Sequence, residues 1–349
     1  MALIVFISYP KCFSLSIERC LSLSLNKECI YYSYNRLIII QKRIKRMDVK
    51  ALQNKIRKLL KERNAVLLAH YYQRGEIQDI ADILGDSLAL SMGAAKTDAD
   101  IIVFAGVHFM AESASILCPD KTVLLPRLEA GCALADTINA AELARVKHDH
   151  PDVTVVTYIN SSAETKALSD ICCTSSNVVN VVNSLNGNEK IMMIPDGNLA
   201  HYTANFTDKK IIPWNGYCPV HHFLTEESVS KAKAKFPRAL FAAHPECTSQ
   251  VLAMADFVGS TGRILKFARE CDAKEIIVGT EVGVLYQLKK QNPHKTFIPA
   301  SDNLICETMK CITLEDILNA LLEMKHVIKV PDEIRIPAKK ALDRMLAIP

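Results

Sequence analysis

The chain has 349 residues, 49% of them hydrophobic, and a formal charge of +4. That is enough apolar material for sizeable cores and excludes disorder as the governing state. The first 47 residues carry eight Lys/Arg against two acids, a charge of +6, which leaves −2 for the rest and no basic surface for nucleic acid.

Residues 1–47 are rich in Ser, Tyr, Ile and Leu. They lack the ordered basic region, apolar core and small-residue cleavage site of a targeting peptide. A membrane anchor needs about 20 apolar residues, and the runs at Ala2–Ile7 and Leu37–Ile40 are far shorter. The simplest reading is a translated upstream stretch, with the start of the protein at Met47. From there Val49, Leu52, Ile56, Leu59 and Leu60 recur at helical spacing between Lys and Arg, which predicts an amphipathic first helix.

The chain then repeats itself. Apolar runs end in His70-Tyr-Tyr72, Tyr158-Ile159-Asn160 and His244-Pro245-Glu246, with anchors 88 and 86 residues apart. Ser87, Ser175 and Thr261 follow at the same 88 and 86. Pro126, Pro213 and Pro299 each close a further apolar run, and Cys132, Cys218 and Cys306 come shortly after, 86 and 88 apart. One period shared by four features predicts an internal triplication. Its copies are 48–135, 136–221 and 222–312, with C-terminal helices over 313–349 packing on the body. Each copy reads as strand, helix, helix, strand, helix, strand, in the first Ala65–Ala69, Ile101–Ala105 and Thr122–Leu125. Continuous apolar strands without alternation belong to parallel sheets covered on both faces. The expected fold class is α/β: three three-layer αβα units with short parallel sheets around a pseudo-threefold axis. Thr313, three before Asp316, starts one C-terminal helix, and a second is expected over Pro337–Leu346.

Ligands gather beyond the carboxyl ends of strands in such sheets. Residues i and i+2 share a face, so His70 with Tyr72, Tyr158 with Asn160 and His244 with Glu246 would converge on the axis. Loop polars that merely cap strand ends are the plainer alternative for any one pair. Ser87, Ser175 and Thr261 suit helix caps, and the same helix starts suit an anionic ligand. Of the twelve cysteines nine lie beyond residue 47. Without a secretion signal they are expected to be reduced, in a cytoplasmic protein. Cys118, Cys172, Cys173 and Cys271, in or beside apolar helical patterns, suit buried inert thiols. Cys132, Cys218 and Cys306 each follow the last strand of a copy. Three thiols about a threefold axis match a [4Fe-4S] cube with one iron left open as a Lewis acid. Three buried thiols, or a zinc with three Cys and water, are the competing readings.

Taken in order, Ala69-His70-Tyr-Tyr72, Gln78-Asp-Ile-Ala-Asp82, Gly85-Asp-Ser87, Phe109-Met-Ala-Glu112, Gly131-Cys132, Tyr158-Ile-Asn160-Ser161, Cys173-Thr-Ser175, Cys218-Pro-Val-His221, His244-Pro-Glu246-Cys247, Gly259-Ser-Thr261-Gly262 and Gly279-Thr-Glu281 carry a resemblance to the quinolinate synthases. It runs from about Met47 to the C-terminus. The resemblance implies a pseudo-threefold α/β enzyme of NAD biosynthesis that condenses iminoaspartate with dihydroxyacetone phosphate to quinolinate. It places cluster ligands on Cys132, Cys218 and Cys306. Substrate contacts fall on His70, Ser87, Tyr158, Ile159, Asn160, Ser175, His221, His244, Pro245, Glu246 and Thr261. Glu246 is the candidate base, with His70, Tyr72 and His244 orienting or donating. Position 71, often Asn in that family, is Tyr here. The resemblance also implies functional coupling to an L-aspartate oxidase that supplies the imine, and neither membrane nor nucleic acid as partner. A non-catalytic iron–sulfur sensor of dicarboxylates and an iron–sulfur dehydratase of another acid are the alternatives.

Overall fold

The computed structural model describes residues 48–186 and 190–348, so the expectations for residues 1–47 lie outside it. The described chain opens with a helix over 48–62, in which Ile56 and Leu60 are buried as the pattern predicts.

The described residues form three four-stranded sheets, parallel throughout. The first holds β1 (Ala65–His70), β2 (Ile83–Gly85), β3 (Ile101–Ala105) and β4 (Thr122–Leu124) in the order β2-β1-β3-β4. The second holds β5 (Val153–Tyr158), β6 (Ile171–Cys173), β7 (Lys190–Ile194) and β8 (Lys210–Pro213) in the order β6-β5-β7-β8. The third holds β9 (Leu240–Ala243), β10 (Phe257–Val258), β11 (Glu275–Gly279) and β12 (Thr296–Pro299) in the order β10-β9-β11-β12. One topology occurs three times, and the internal triplication is the fold. The central strands are buried along nearly their whole length because helices cover both faces.

Each sheet has one strand more than the sequence pattern predicts. β2, β6 and β10 are edge strands of two or three residues, too short for a hydrophobic run to announce them. What fixes them is polar. Asp82, Asp170 and Asp256, again 88 and 86 apart, precede these strands. Each carboxylate accepts the backbone N–H of the central strand, from Leu67 at 2.9 Å, Val155 at 2.7 Å and Phe241 at 2.7 Å. A cation from the helix that precedes each sheet pairs with each carboxylate: Arg57, Lys147 and Lys233. β6 also carries Cys172 and Cys173, so these thiols are buried on a strand, not a helix.

Thr313 and Asp316 form a capping box at the start of the helix Leu314–Glu323, as expected. The last helix runs over Asp332–Leu346 and takes Pro337 into its second turn, whereas the sequence suggests a start at that proline. Its first turn carries Asp332 and Glu333 after Pro331, and those acids favour the earlier start. This helix packs on β6 and on the helices Ala163–Ala167 and His108–Leu117, which joins the first and second repeats in one core.

Candidate active site

A cavity of about 280 Å³ lies beyond the carboxyl ends of β1, β5 and β9. Each repeat contributes the same positions. His70 and Tyr72, Tyr158 and Asn160, and His244 and Glu246 line it, as do Ser87, Ser175 and Thr261. Cys132, Cys218, Cys306 and His221 complete the predicted set. Ile159 and Pro245 are buried between their lining neighbours and stand outside the wall. Tyr71 packs on the third sheet's core and His222 stacks on Tyr217 at 4.0 Å, so neither faces the cavity.

Ser87, Ser175 and Thr261 are not the helix caps that the sequence suggests. The caps sit one residue earlier at two of the three places. Asp86 accepts from Ala89 N–H at 3.1 Å, and Ser260 accepts from Arg263 N–H at 3.3 Å. In the second repeat Asn177 precedes the helix, and its side chain accepts from Thr174 N–H instead. Asp86 further ties the repeats together. Its Oδ2 accepts from Ser176 Oγ at 3.0 Å, Ser260 Oγ at 3.3 Å and Gly262 N–H at 3.3 Å. A Cβ on Gly262 would stand 2.8 Å from that oxygen, so the close approach requires glycine. With capping done by neighbours, the Ser87 hydroxyl at the wall is not spent on its helix, and that of Thr261 meets Tyr72 OH at 2.8 Å. Thr261→Ala is expected to weaken substrate affinity by about 10-fold, the scale of one lost hydrogen bond to a charged group, and unchanged affinity would remove Thr261 from the binding set.

The acid–base groups form a connected chain. Glu246 is buried, and its Oε2 lies 2.6 Å from His221 Nδ1. Burial pushes this carboxyl up. The charges of His221 and His244 oppose that, and with hydrogen bonds from His221 and Tyr158 they bring it down to about 2. His244 itself falls to about 3, chiefly by burial, and His70 to about 4 for the same reason. At neutral pH both imidazoles are therefore uncharged, and Glu246 is held by His221 and the Tyr158 hydroxyl. His70 Nδ1 accepts Tyr72 N–H at 3.1 Å, and His244 Nδ1 accepts Glu246 N–H at 3.4 Å. Both neutral rings thus carry their proton on Nε2. His221 Nε2 meets Thr280 Oγ1 at 2.9 Å, Thr280 meets Tyr72 OH at 2.7 Å, and Tyr72 meets Thr261 Oγ1 at 2.8 Å. A hydrogen-bonded path therefore runs from Glu246 through His221, Thr280 and Tyr72 to Thr261 at the cavity wall.

The three cysteines repeat one local geometry. Cys218 and Cys306 are the N-caps of the one-turn helices Pro219–His222 and Glu307–Lys310, and Cys132 opens the turn that leads to Ala135–Thr137. Burial pushes Cys132 up to about 12 and raises Cys218 and Cys306 as well. Against that, the backbone N–H three places on, of Ala135, His221 and Met309, lowers each thiol, and at Cys306 the Thr308 hydroxyl, 3.5 Å from the sulfur, does so more. Such N–H···S bonds favour the thiolate, the form in which cysteine binds iron, and tune iron–sulfur centres. One zinc would need ligands at about 2.3 Å, and so sulfurs close together. Among the described residues the group whose ligand atoms all lie within 4.8 Å of one another is Cys218, His221 and Glu246, not the three cysteines. Thiols that share a cavity at wider spacing fit a cluster spread over several irons better than one ion.

A model of the quinolinate synthetase A protein family matches residues 54–347. The chain belongs to the quinolinate synthase family. It is 59% identical over 298 residues to the quinolinate synthase of Geotalea uraniireducens, covering 85% of this chain and 98% of that one. It is 57% identical over 303 residues to the quinolinate synthase of a Geobacter species, covering 87% and 99%. Quinolinate synthase 1 of Methanosarcina acetivorans is 53% identical over 297 residues, covering 85% and 97%.

In this quinolinate synthase family member, some site residues carry no signal in the period of polar anchors. Thr280 sits one residue past β11, where Gly106 and Pro195 occupy the matching places of the other repeats, so comparing the copies does not single it out. Asp86 stands beside a residue that the period selects, and it passes for an ordinary turn aspartate. Asn160 Oδ1 is buried without a hydrogen-bond partner, the mark of an acceptor that awaits a donor from a ligand. Among the described residues no helix is long and apolar enough to cross a membrane.

Proposed function

We propose that this protein condenses iminoaspartate with dihydroxyacetone phosphate to quinolinate, releasing phosphate and water, in NAD biosynthesis in the cytoplasm. Cys132, Cys218 and Cys306 would hold a [4Fe-4S] cluster, and an L-aspartate oxidase would supply the imine. The observation that carries this reading is the convergence of one thiol from each repeat on the cavity that also holds the Glu246–His221–Thr280–Tyr72 path. When bound, the cluster would offer an iron without protein ligand as a Lewis acid for a substrate oxygen.

The rest of the chemistry falls to side chains. Glu246, buried and anionic, takes a proton from the substrate as its carbonyl partner isomerises and the ring closes. His70 and His244, neutral with Nε2–H, donate hydrogen bonds to substrate oxygens without adding positive charge. Tyr72 gives its phenolic proton to a departing oxygen and regains it through Thr280 and His221. Ser87, Ser175 and Thr261, one per repeat, bind anionic oxygens at the wall.

Thr280→Val keeps the volume and breaks the path. It is expected to lower kcat about 100-fold with KM within a few-fold, the scale of one lost proton-transfer element. Equal kcat in steady-state assays would take Thr280 out of the mechanism.

The reading as a whole is tested by feeding the reconstituted protein both substrates, each alone, and a hydroxy acid without either. Quinolinate and phosphate formed only from the pair support it. Binding without turnover would favour a sensor, and water loss from the hydroxy acid alone would favour a dehydratase of another acid.

A further inference from the structure

The sheet register aligns three positions just past the strands that flank β1, β5 and β9. Ala69 pairs with Ala105, Thr157 with Ile194 and Ala243 with Gly279. Two residues beyond those partners stand Val107, Asp196 and Glu281. All three are buried.

The two acids do the same thing. Asp196 Oδ2 accepts the backbone N–H of Cys218 at 3.2 Å, and Glu281 Oε1 accepts that of Cys306 at 3.2 Å. In each case the cysteine is the one that closes the acid's own repeat. The remaining oxygen of each is also engaged. Asp196 Oδ1 accepts from Leu199 N–H at 2.7 Å, and Glu281 Oε2 accepts from Gly283 N–H at 2.6 Å and Lys310 Nζ at 3.2 Å. Lys310 continues to the Tyr72 carbonyl, so the carboxylate of Glu281 joins the Cys306 loop to the Tyr72 loop. This junction is packed around a glycine: a Cβ on Gly283 would stand 2.5 Å from Lys310 Nζ, 2.6 Å from Tyr72 O and 2.7 Å from Glu281 Oε2. A carboxyl held at both oxygens has little freedom. The peptide it holds is the one from which the thiol projects.

We propose that Asp196 and Glu281 are positioning residues that clamp Cys218 and Cys306 for cluster binding, while the first repeat, with Val107 at the matching place, orients Cys132 without such a clamp. The inference rests on the reading of the three cysteines as cluster ligands. Outer partners of metal ligands fix ligand direction, and their loss weakens metal holding even though they touch no metal. Here the triplicated fold supplies an internal control, since one copy lacks the carboxyl.

The test uses the full chain reconstituted anaerobically with iron and sulfide, in parent form and as Asp196→Ala, Glu281→Ala, Glu281→Asp, Glu281→Gln and Val107→Ala. The parent is measured first for iron content and cluster absorbance; a parent without a cluster removes the ligand reading itself, before any variant is compared. With a loaded parent, the quantity read is the rate of iron transfer to a chelator, alongside circular dichroism for folding. Alanine at 196 or 281 should speed iron loss about 10-fold or more. Glu281→Asp, which keeps the charge but withdraws the oxygens by one methylene, should behave like alanine and decides the matter if the alanine variant does not fold. Glu281→Gln keeps one acceptor oxygen for the Cys306 N–H but turns an N–H₂ toward the donors Gly283 N–H and Lys310 Nζ, so its rate should fall between those of the parent and the shortened variants, and Val107→Ala should lose iron at the parent's rate. The clamp is overturned if the shortened variants hold their cluster as the parent does, if the Gln variant fails as badly as they do, or if Val107→Ala loses iron as fast.

Discussion

Glu246→Gln should load a full cluster and make quinolinate at least about 1,000 times more slowly than the parent. The substitution keeps the shape of the side chain and removes its basicity. It also breaks the arrangement around it, because the carboxylate accepts from both His221 and Tyr158, whereas an amide offers one acceptor oxygen and one N–H₂ that cannot accept. The surrounding charge pattern gives the reason to expect so large an effect. The carboxylate is buried and yet ionised, and the unprotonated Nδ1 of His70 and of His244 is already taken by a backbone N–H, so neither ring turns a free lone pair to the cavity. Iron content and absorbance separate the two functions of the site. A Gln variant that keeps its cluster and more than about a tenth of the parent's rate would remove Glu246 as the base.

Serine at Cys132, Cys218 or Cys306 should abolish both the cluster and turnover, with bound iron below about a tenth of the parent's. An alcohol is a hard, weakly acidic donor where iron–sulfur chemistry needs a soft thiolate. The three positions should behave alike, because each thiol projects from the same kind of turn and accepts the same N–H from three residues on. Nearby cysteines supply the controls. Cys118 donates to Ala94 O at 3.1 Å on the far side of the first repeat's core, and Cys311 donates to Thr308 O at 2.9 Å away from the cavity wall. Serine at either should leave iron content unchanged. Equal loss at Cys118 would show that the ligand set is wrongly assigned.

Much of this was legible in the residues because a triplicated chain announces its own equivalences. His70, Tyr158 and His244 stand out by their spacing, and the fold brings all three to one cavity since His70 and Tyr158 end β1 and β5, and His244 directly follows β9, in sheets of one topology. The edge strands β2, β6 and β10 escaped because their order comes from Asp82, Asp170 and Asp256, whose role is a hydrogen bond to another strand and not a hydrophobic pattern. The caps lie one residue before Ser87 and Thr261 for a related reason. A run such as Gly-Asp-Ser or Gly-Ser-Thr offers two capping side chains in succession, and the backbone, not the residue type, decides which one turns inward. Pro337 misled as a helix start because a proline costs a helix least in its first turns, and two acids upstream favour five more residues of helix. Thr280 and Glu281 lie in a stretch that carries the family resemblance, but their roles come from three-dimensional contacts, with His221, Tyr72 and Cys306.

In the proposed function three repeats give one thiol each to a cluster and leave one iron to the substrate. Mössbauer spectra of the full chain reconstituted with ⁵⁷Fe, recorded with and without a dicarboxylate substrate analogue, test it most directly. Four irons per chain are predicted, with about one quarter of the signal shifting when the analogue binds and the rest unchanged. Four irons that respond identically, or a signal that never exceeds one mononuclear iron, would contradict it.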